Sequence, residues 1–154
     1  MYINSPGTNS PDGRAFSFDT EAFAIADTMQ FIRPPIRTIC VGQAFGTAAM
    51  LLSLGQKGNR MALPNASIML NQPKSRAQGQ ATDVAIKARE IMNNRRTTNE
   101  FFCKTCGKDM EQIEKDTSRV NYLSPEEAIA YGLIDKVLYP EELRVQAPKF
   151  IDFL

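Results

Sequence analysis

Residues 36–54, IRTICVGQAFGTAAMLLSL, carry a short apolar strand into a helix through a turn of small residues. Ile36–Val41 is apolar, β-branched and bounded by Pro34-Pro35 and Gly42, as a buried strand should be. A helix is expected from near Gly46, carrying Ala48, Ala49, Met50, Leu51 and Leu52. A strand-to-helix turn lifts one side chain clear of the sheet toward the helix start, which makes it a common seat for a nucleophile. This turn holds Phe45, Gly46 and Thr47 and offers neither serine nor cysteine.

The chain has no histidine. A Ser–His or Cys–His pair built from its own residues is excluded, and so is a histidine-ligated zinc. The three cysteines are an odd, low count that argues against a disulfide framework and for a reducing compartment. Cys103 and Cys106 form C-K-T-C at the end of a long helical run, just before Gly107. The helix dipole opposes a thiolate there, so they read as ordinary helix-end cysteines. No metal site and no cofactor is expected. The net charge of +1 gives no footing for nucleic-acid or membrane binding, and no apolar run approaches the roughly 20 residues that span a bilayer.

Along the chain, Met1–Asn4 reads as the end of a buried strand, and Ser5–Phe18 is a loop rich in Pro, Gly, Ser and Asn. Asp19 is expected to cap a helix that runs to about Ile32, with Phe23, Ala26, Met29 and Ile32 at helical spacing. Met61–Leu63 and Ser67–Leu70 read as short strands, and Lys74–Gln80 as polar and extended. A long helix follows from about Thr82 to Cys106, closed by Gly107. Its Lys87, Arg89, Arg95, Arg96 and Lys104 are interspersed with Asp83, Glu90 and Glu100, the pattern of a solvated face. Asp109 starts a short helix. Ser124, Pro125 and Glu127 spell a capping box with proline at the first helical position, and that helix ends at Gly132. Ile134–Leu138 is the last strand. Strands alternate with helices throughout, so residues 1–154 are expected to form one α/β domain with a mainly parallel sheet.

Several stretches resemble one family. They are YINSPG at Tyr2–Gly7, DTMQFI at Asp27–Ile32, TICVGQA at Thr38–Ala44, KGNRMALPNASIM at Lys57–Met69 and QGQATD at Gln78–Asp83. EQIEKDT at Glu111–Thr117 and LSPEEAIAYGLID at Leu123–Asp135 belong with them. Together they resemble the proteolytic subunit of the Clp protease, ClpP, in one order over nearly the whole chain. The resemblance implies the ClpP/crotonase fold with a protruding handle helix, and heptameric rings stacked in pairs around a proteolytic chamber. It divides the chain into an inserted loop at 5–18, a handle region at 74–106 and a C-terminal tail at 139–154. The family's N-terminal strands and axial loop precede YINSPG and are not among these residues, so the chain is expected to be a fragment or a shortened form.

The resemblance also implies which positions should carry the chemistry, and the residues there depart from the family. The nucleophile position is Gly46, the general-base position Asn71 and the orienting-carboxylate position Val120. The two oxyanion-hole positions are Thr8 and Thr47. The loop after Gly7 holds an insertion of about nine residues, which should alter the substrate-side surface. All three triad positions replaced together resemble the ClpR type, the triad-deficient paralogues of cyanobacteria and plastids. A noncatalytic subunit of a mixed ring is expected, with active ClpP and other ClpR-type subunits as partners and a ClpC-type AAA+ unfoldase docking on the assembled core. Gln78, Gly79, Gln80, Thr82 and Asp83 are the expected ring–ring contacts. The chloroplast stroma is the expected compartment, with a cyanobacterial cytosol as the alternative. Two other readings compete: a crotonase-fold enzyme acting on acyl-CoA, for which the strand-to-helix turns offer no carboxylate base, and a weakly active peptidase using Thr47 or Ser53.

Overall fold

The computed structural model describes residues 1–7, 19–73 and 78–140. In chain order the elements are β1 (Tyr2–Ser5), α1 (Asp19–Phe31), β2 (Thr38–Phe45), α2 (Thr47–Ser53), β3 (Arg60–Ala62), β4 (Ser67–Leu70), α3 (Ala81–Cys106), α4 (Met110–Thr117), β5 (Asn121–Leu123), α5 (Pro125–Tyr131) and β6 (Lys136–Val137). They build an α/β fold around a mostly parallel sheet, in which β1, β2, β3, β4 and β6 pair in parallel and β5 pairs antiparallel to β4. Most of the inserted loop, part of the Lys74–Gln80 stretch and all of the tail beyond Pro140 lie outside the described residues.

β2 is the strand on which the sheet divides. β1 runs parallel along one edge of it. On the other edge β3 pairs with Thr38–Cys40 and β4 with Gln43–Phe45, both parallel. Gly42 lies between these two half-edges with φ +87°, a conformation that suits glycine. Its effect is visible against β1, where the register slips from Ile3 opposite Cys40 to Ser5 opposite Ala44. β6 extends the sheet parallel to β3, and β5 extends it antiparallel to β4.

The structure changes several sequence expectations. β2 does not stop at Val41; it continues through Gly42 to Phe45, so only Gly46 separates strand from helix. Paired on both edges, the strand has hydrogen-bond partners that its local composition cannot announce. β5 was not expected at all, and β6 is shorter than Ile134–Leu138. Ile32 lies beyond α1 and is 42% exposed, whereas Ala22 and Ala26 form the buried stripe of that helix. Asp109 precedes α4 in an extended conformation without a side-chain capping bond. The capping box at Ser124 forms as expected: Ser124 Oγ accepts from the Glu127 N–H at 3.2 Å, and Glu127 Oε2 accepts from the Ser124 N–H at 2.8 Å.

The core sits where α2 covers the sheet. Met50 and Leu52 of α2, Ile68 and Leu70 of β4, Phe102 of α3 and Ile113 of α4 are fully buried. Truncating any of these to alanine should cost about 2–5 kcal/mol in transfer and cavity terms.

Arg60 ties the layers together from inside. It is 4% exposed. Its Nη1 donates to the carbonyls of Gly132, Thr105 and Ser53 at 2.8, 3.3 and 3.4 Å. These carbonyls lie at the C-terminal ends of α5, α3 and α2, where helix dipoles concentrate negative charge. Nη2 and Nε reach Asp135 at 2.7 and 3.0 Å, and the Gly58 N–H adds a bond to the same carboxylate at 2.7 Å. Burial alone would raise the Asp135 carboxyl, but the bonds to Arg60 and Gly58 outweigh it and hold the group below the ordinary carboxylate range.

α3 is 26 residues long, about 39 Å at 1.5 Å per residue. Every residue from Ala81 to Glu90 is exposed, and burial within the helix begins at Asn94. The helix is therefore anchored by its second half, while its first half is exposed. Gly107, with φ +68°, closes it in the left-handed conformation.

Candidate functional site

Three strand ends meet beside α2. The Gly46 N–H donates to the Met69 carbonyl at 2.8 Å, which stitches the end of β2 to β4. Two residues further along that chain is Asn71, 6% exposed. Ile68, Met69 and Leu70 of β4 face Leu123, Tyr122 and Asn121 of β5, and the same register carried one step on sets Asn71 against Val120. The fold thus brings Gly46, Asn71 and Val120 to one corner. β5, which sequence reasoning missed, is the element that delivers Val120. Its only local signal is the short Asn121-Tyr122-Leu123 run before the capping box.

Gly46 turns the chain with φ 56° and ψ −113°. A Cβ added there would lie 2.5 Å from Asn71 Oδ1, closer than non-bonded carbon and oxygen approach. A side chain at position 46 would therefore require the Asn71 amide to shift. Chemically the corner is inert toward proton transfer. Gly46 has no side chain, the Asn71 amide does not titrate, and Val120 is apolar and 47% exposed. Phe45 and Tyr122 meet edge to face beside it, ring centroids 5.7 Å apart. Nothing in the sequence pattern signalled that pair.

Thr47 opens α2 and is 6% exposed. Thr8, the other expected oxyanion-hole position, lies outside the described residues. Gly7 just before it has φ +64°, and a Cβ there would collide with the Phe45 carbonyl oxygen. The start of the loop thus presses directly on the turn. A cleft of about 350 Å³ between β1, α1 and α2 reaches Gly7 and Thr47; neither Asn71 nor Val120 lines it.

Ser53, one of the two competing nucleophiles, is structurally engaged. Ser53 is 1% exposed, donates to the Met50 carbonyl at 2.8 Å and accepts from Thr105 Oγ1 at 3.1 Å. Burial pushes the Cys40 thiol up to about 11 and raises Cys103 and Cys106 as well, so none is poised as a thiolate. The side chains described around Gly46 include no carboxylate of the kind acyl-CoA chemistry would need as a base. Among the described residues no group of three or more His, Cys, Asp or Glu could hold a metal ion.

Gln78, Gly79, Gln80, Thr82 and Asp83 lie at and just before the start of α3, all exposed. They are far along the handle from the buried half of that helix.

The sequence profile of the Clp protease family, described as Clp protease, matches residues 1–141. The chain is 54% identical over 138 residues to an ATP-dependent Clp protease proteolytic subunit-like protein of Synechococcus elongatus, across 90% of this chain and 60% of that one. It is 52% identical over 141 residues to ATP-dependent Clp protease proteolytic subunit-related protein 4, chloroplastic, of Arabidopsis thaliana, across 92% of this chain and 46% of that one. It is also 51% identical over 140 residues to ATP-dependent Clp protease proteolytic subunit 2 of Gloeobacter violaceus, across 91% and 61% of the two chains. The chain spans less than two thirds of the length of these curated relatives. With a family profile covering most of its length and relatives above half identity, this chain belongs to the Clp protease family.

Proposed function

We propose that the chain is a noncatalytic subunit of the ClpR type in the core of an ATP-dependent Clp protease, contributing to assembly and to the chamber wall. The observation that carries this reading is the pair at the strand-to-helix turn, Gly46 without a side chain and the Asn71 amide against it. A site kept for catalysis would carry a nucleophilic side chain at the turn and a titrating base beside it. The chloroplastic relative named as a subunit-related protein supports the same reading, as do the cyanobacterial relatives.

The work left to such a subunit is contact. The exposed half of α3 carries Val84, Ile86 and Met92 at 36%, 66% and 60% exposure. Burial of this handle against the opposite ring, with Gln78, Gly79, Gln80, Thr82 and Asp83 at the contact, accounts for those side chains. The partners are active ClpP and other ClpR-type subunits in a two-ring core, and through the assembled core a ClpC-type AAA+ unfoldase. The compartment is the chloroplast stroma or, for a cyanobacterial source, the cytosol.

The test is native mass spectrometry of the complex pulled down through this subunit, with peptidase activity assayed on the complex and on the isolated chain. Active ClpP subunits in fixed ratio and no hydrolysis by the chain alone would support the proposal. A homogeneous assembly of this chain that cleaves peptides would overturn it.

A further inference from the structure

The basic residues of α3 do not form a uniformly solvated face. Arg89, Met92, Asn93, Arg95 and Arg96 line a cleft of about 420 Å³ closed on its far side by Glu114 of α4. Three guanidinium groups therefore meet one carboxylate. Arg96 is engaged outward with Glu100 at 3.0 Å. Arg95 Nη2 reaches Glu114 only at 3.7 Å, well beyond the usual charge-assisted distance. The Nε–H of Arg95 is buried and has no acceptor. Arg89 makes no hydrogen bond or ion pair among the described residues.

A buried N–H without an acceptor is costly, and native structures seldom leave one so. Arg95 itself lines a cleft with more arginine than carboxylate and room for a small polar ligand. Guanidinium forks bind carboxylate and phosphate oxygens in pairs, a geometry that a lone Glu114 at long range does not satisfy. We propose that the cleft between α3 and α4 is an oxyanion-binding site, in which a phosphate or carboxylate group is held between the Arg95 and Arg89 guanidinium groups. The site lies on α3 and α4, away from the Gly46 corner, and does not depend on the ring-subunit reading.

The test is thermal unfolding of the full chain at constant ionic strength, replacing chloride with inorganic phosphate or with glutarate, a small dicarboxylate. A saturable rise in Tm is expected, about 5–10 °C when the anion stands at roughly a hundred times its Kd. Arg95→Gln and Arg89→Gln should each weaken the apparent affinity by about tenfold or more. A stronger response to phosphate assigns the site to a free phosphate, and a stronger response to glutarate to an acidic side chain of a bound protein. If Arg95→Gln does not fold, Arg89→Gln still decides, since that side chain is exposed and makes no hydrogen bond or ion pair among the described residues. No saturable response to either anion beyond chloride, or a response that survives both variants, would overturn the proposal.

Discussion

Asn71 Oδ1 occupies the approach to Gly46 so closely that a Cβ on residue 46 would stand 2.5 Å from it. The two residues directly follow different strands, β2 and β4, and their close approach goes with the Gly46–Met69 hydrogen bond that joins those strand ends. A side chain restored at position 46 therefore requires the Asn71 amide to swing aside.

Gly46→Ser should be destabilised by about 1–3 kcal/mol, because position 46 has φ 56° as well as the clash. Peptide hydrolysis should remain at background, since no general base stands at position 71. Combining it with Asn71→Ala relieves the clash, so a double-mutant cycle by denaturant titration should show favourable coupling of about 0.5–3 kcal/mol. Inhibitor-sensitive peptidase activity from the single serine variant would contradict the noncatalytic reading.

Arg60→Met should be among the most damaging single substitutions, at about 3–5 kcal/mol. It strands Asp135 without its partner and leaves the Gly132, Thr105 and Ser53 carbonyls without the guanidinium. Equilibrium unfolding in urea checks it, and a loss under about 1 kcal/mol would deny Arg60 that structural role.

The Asp135 carboxyl is held below its ordinary value in the folded chain, so the unfolded chain takes up its proton first as the solution is acidified. Its contribution to stability is complete above about pH 4 and drains away as pH falls through the lower folded value. Unfolding free energy measured from pH 6 down to pH 2.5 should fall more steeply for the wild type than for Asp135→Asn. Parallel curves would show that the bonds to Arg60 and Gly58 do not perturb this group.

Gly7→Ala should cost about 1–3 kcal/mol through its positive φ alone, and more because the new methyl meets the Phe45 carbonyl. Thermal melts should detect it, and Ser5→Ala serves as the nearby control. It removes only the 3.1 Å bond that Ser5 Oγ accepts from the Gly7 N–H, worth about 1 kcal/mol.

Ile86→Asp, on the exposed half of α3, should change the stability of the isolated chain by no more than about 0.5 kcal/mol. If the handle is buried in the assembled core, the same variant should sharply reduce recovery of partner subunits in a pull-down. Unchanged recovery would place the interface elsewhere.

The parts legible in the sequence are those decided within a few residues. The Ser124–Glu127 capping box, the Gly107 stop and the α2 apolar run each rest on local chemistry, and each forms where the pattern places it. What escaped was decided at long range. β5 is three residues with no strong pattern of its own and exists because β4 offers an open edge. The extension of β2 to Phe45 depends on pairing with β4, and Ile32 stays exposed because α1 ends before it. The position of Gly46 at a strand-to-helix turn was readable, whereas the contact with Asn71 needed the register of two strands. No local pattern marks Arg60, and its role appears only when three helix ends arrive around it.

That convergence has a consequence for the order of folding. Arg60 lies 45 residues before Thr105, 72 before Gly132 and 75 before Asp135. On a ribosome working at roughly 5–20 residues per second, the chain waits about 4–15 s between making this arginine and making its counter-charge. During that interval the guanidinium has to stay in water, so β3 cannot settle into its final place. The closing of the Arg60 cluster is therefore expected to be a late event in biosynthesis, with the strands and helices made earlier held in a provisional arrangement until α5 and Asp135 emerge.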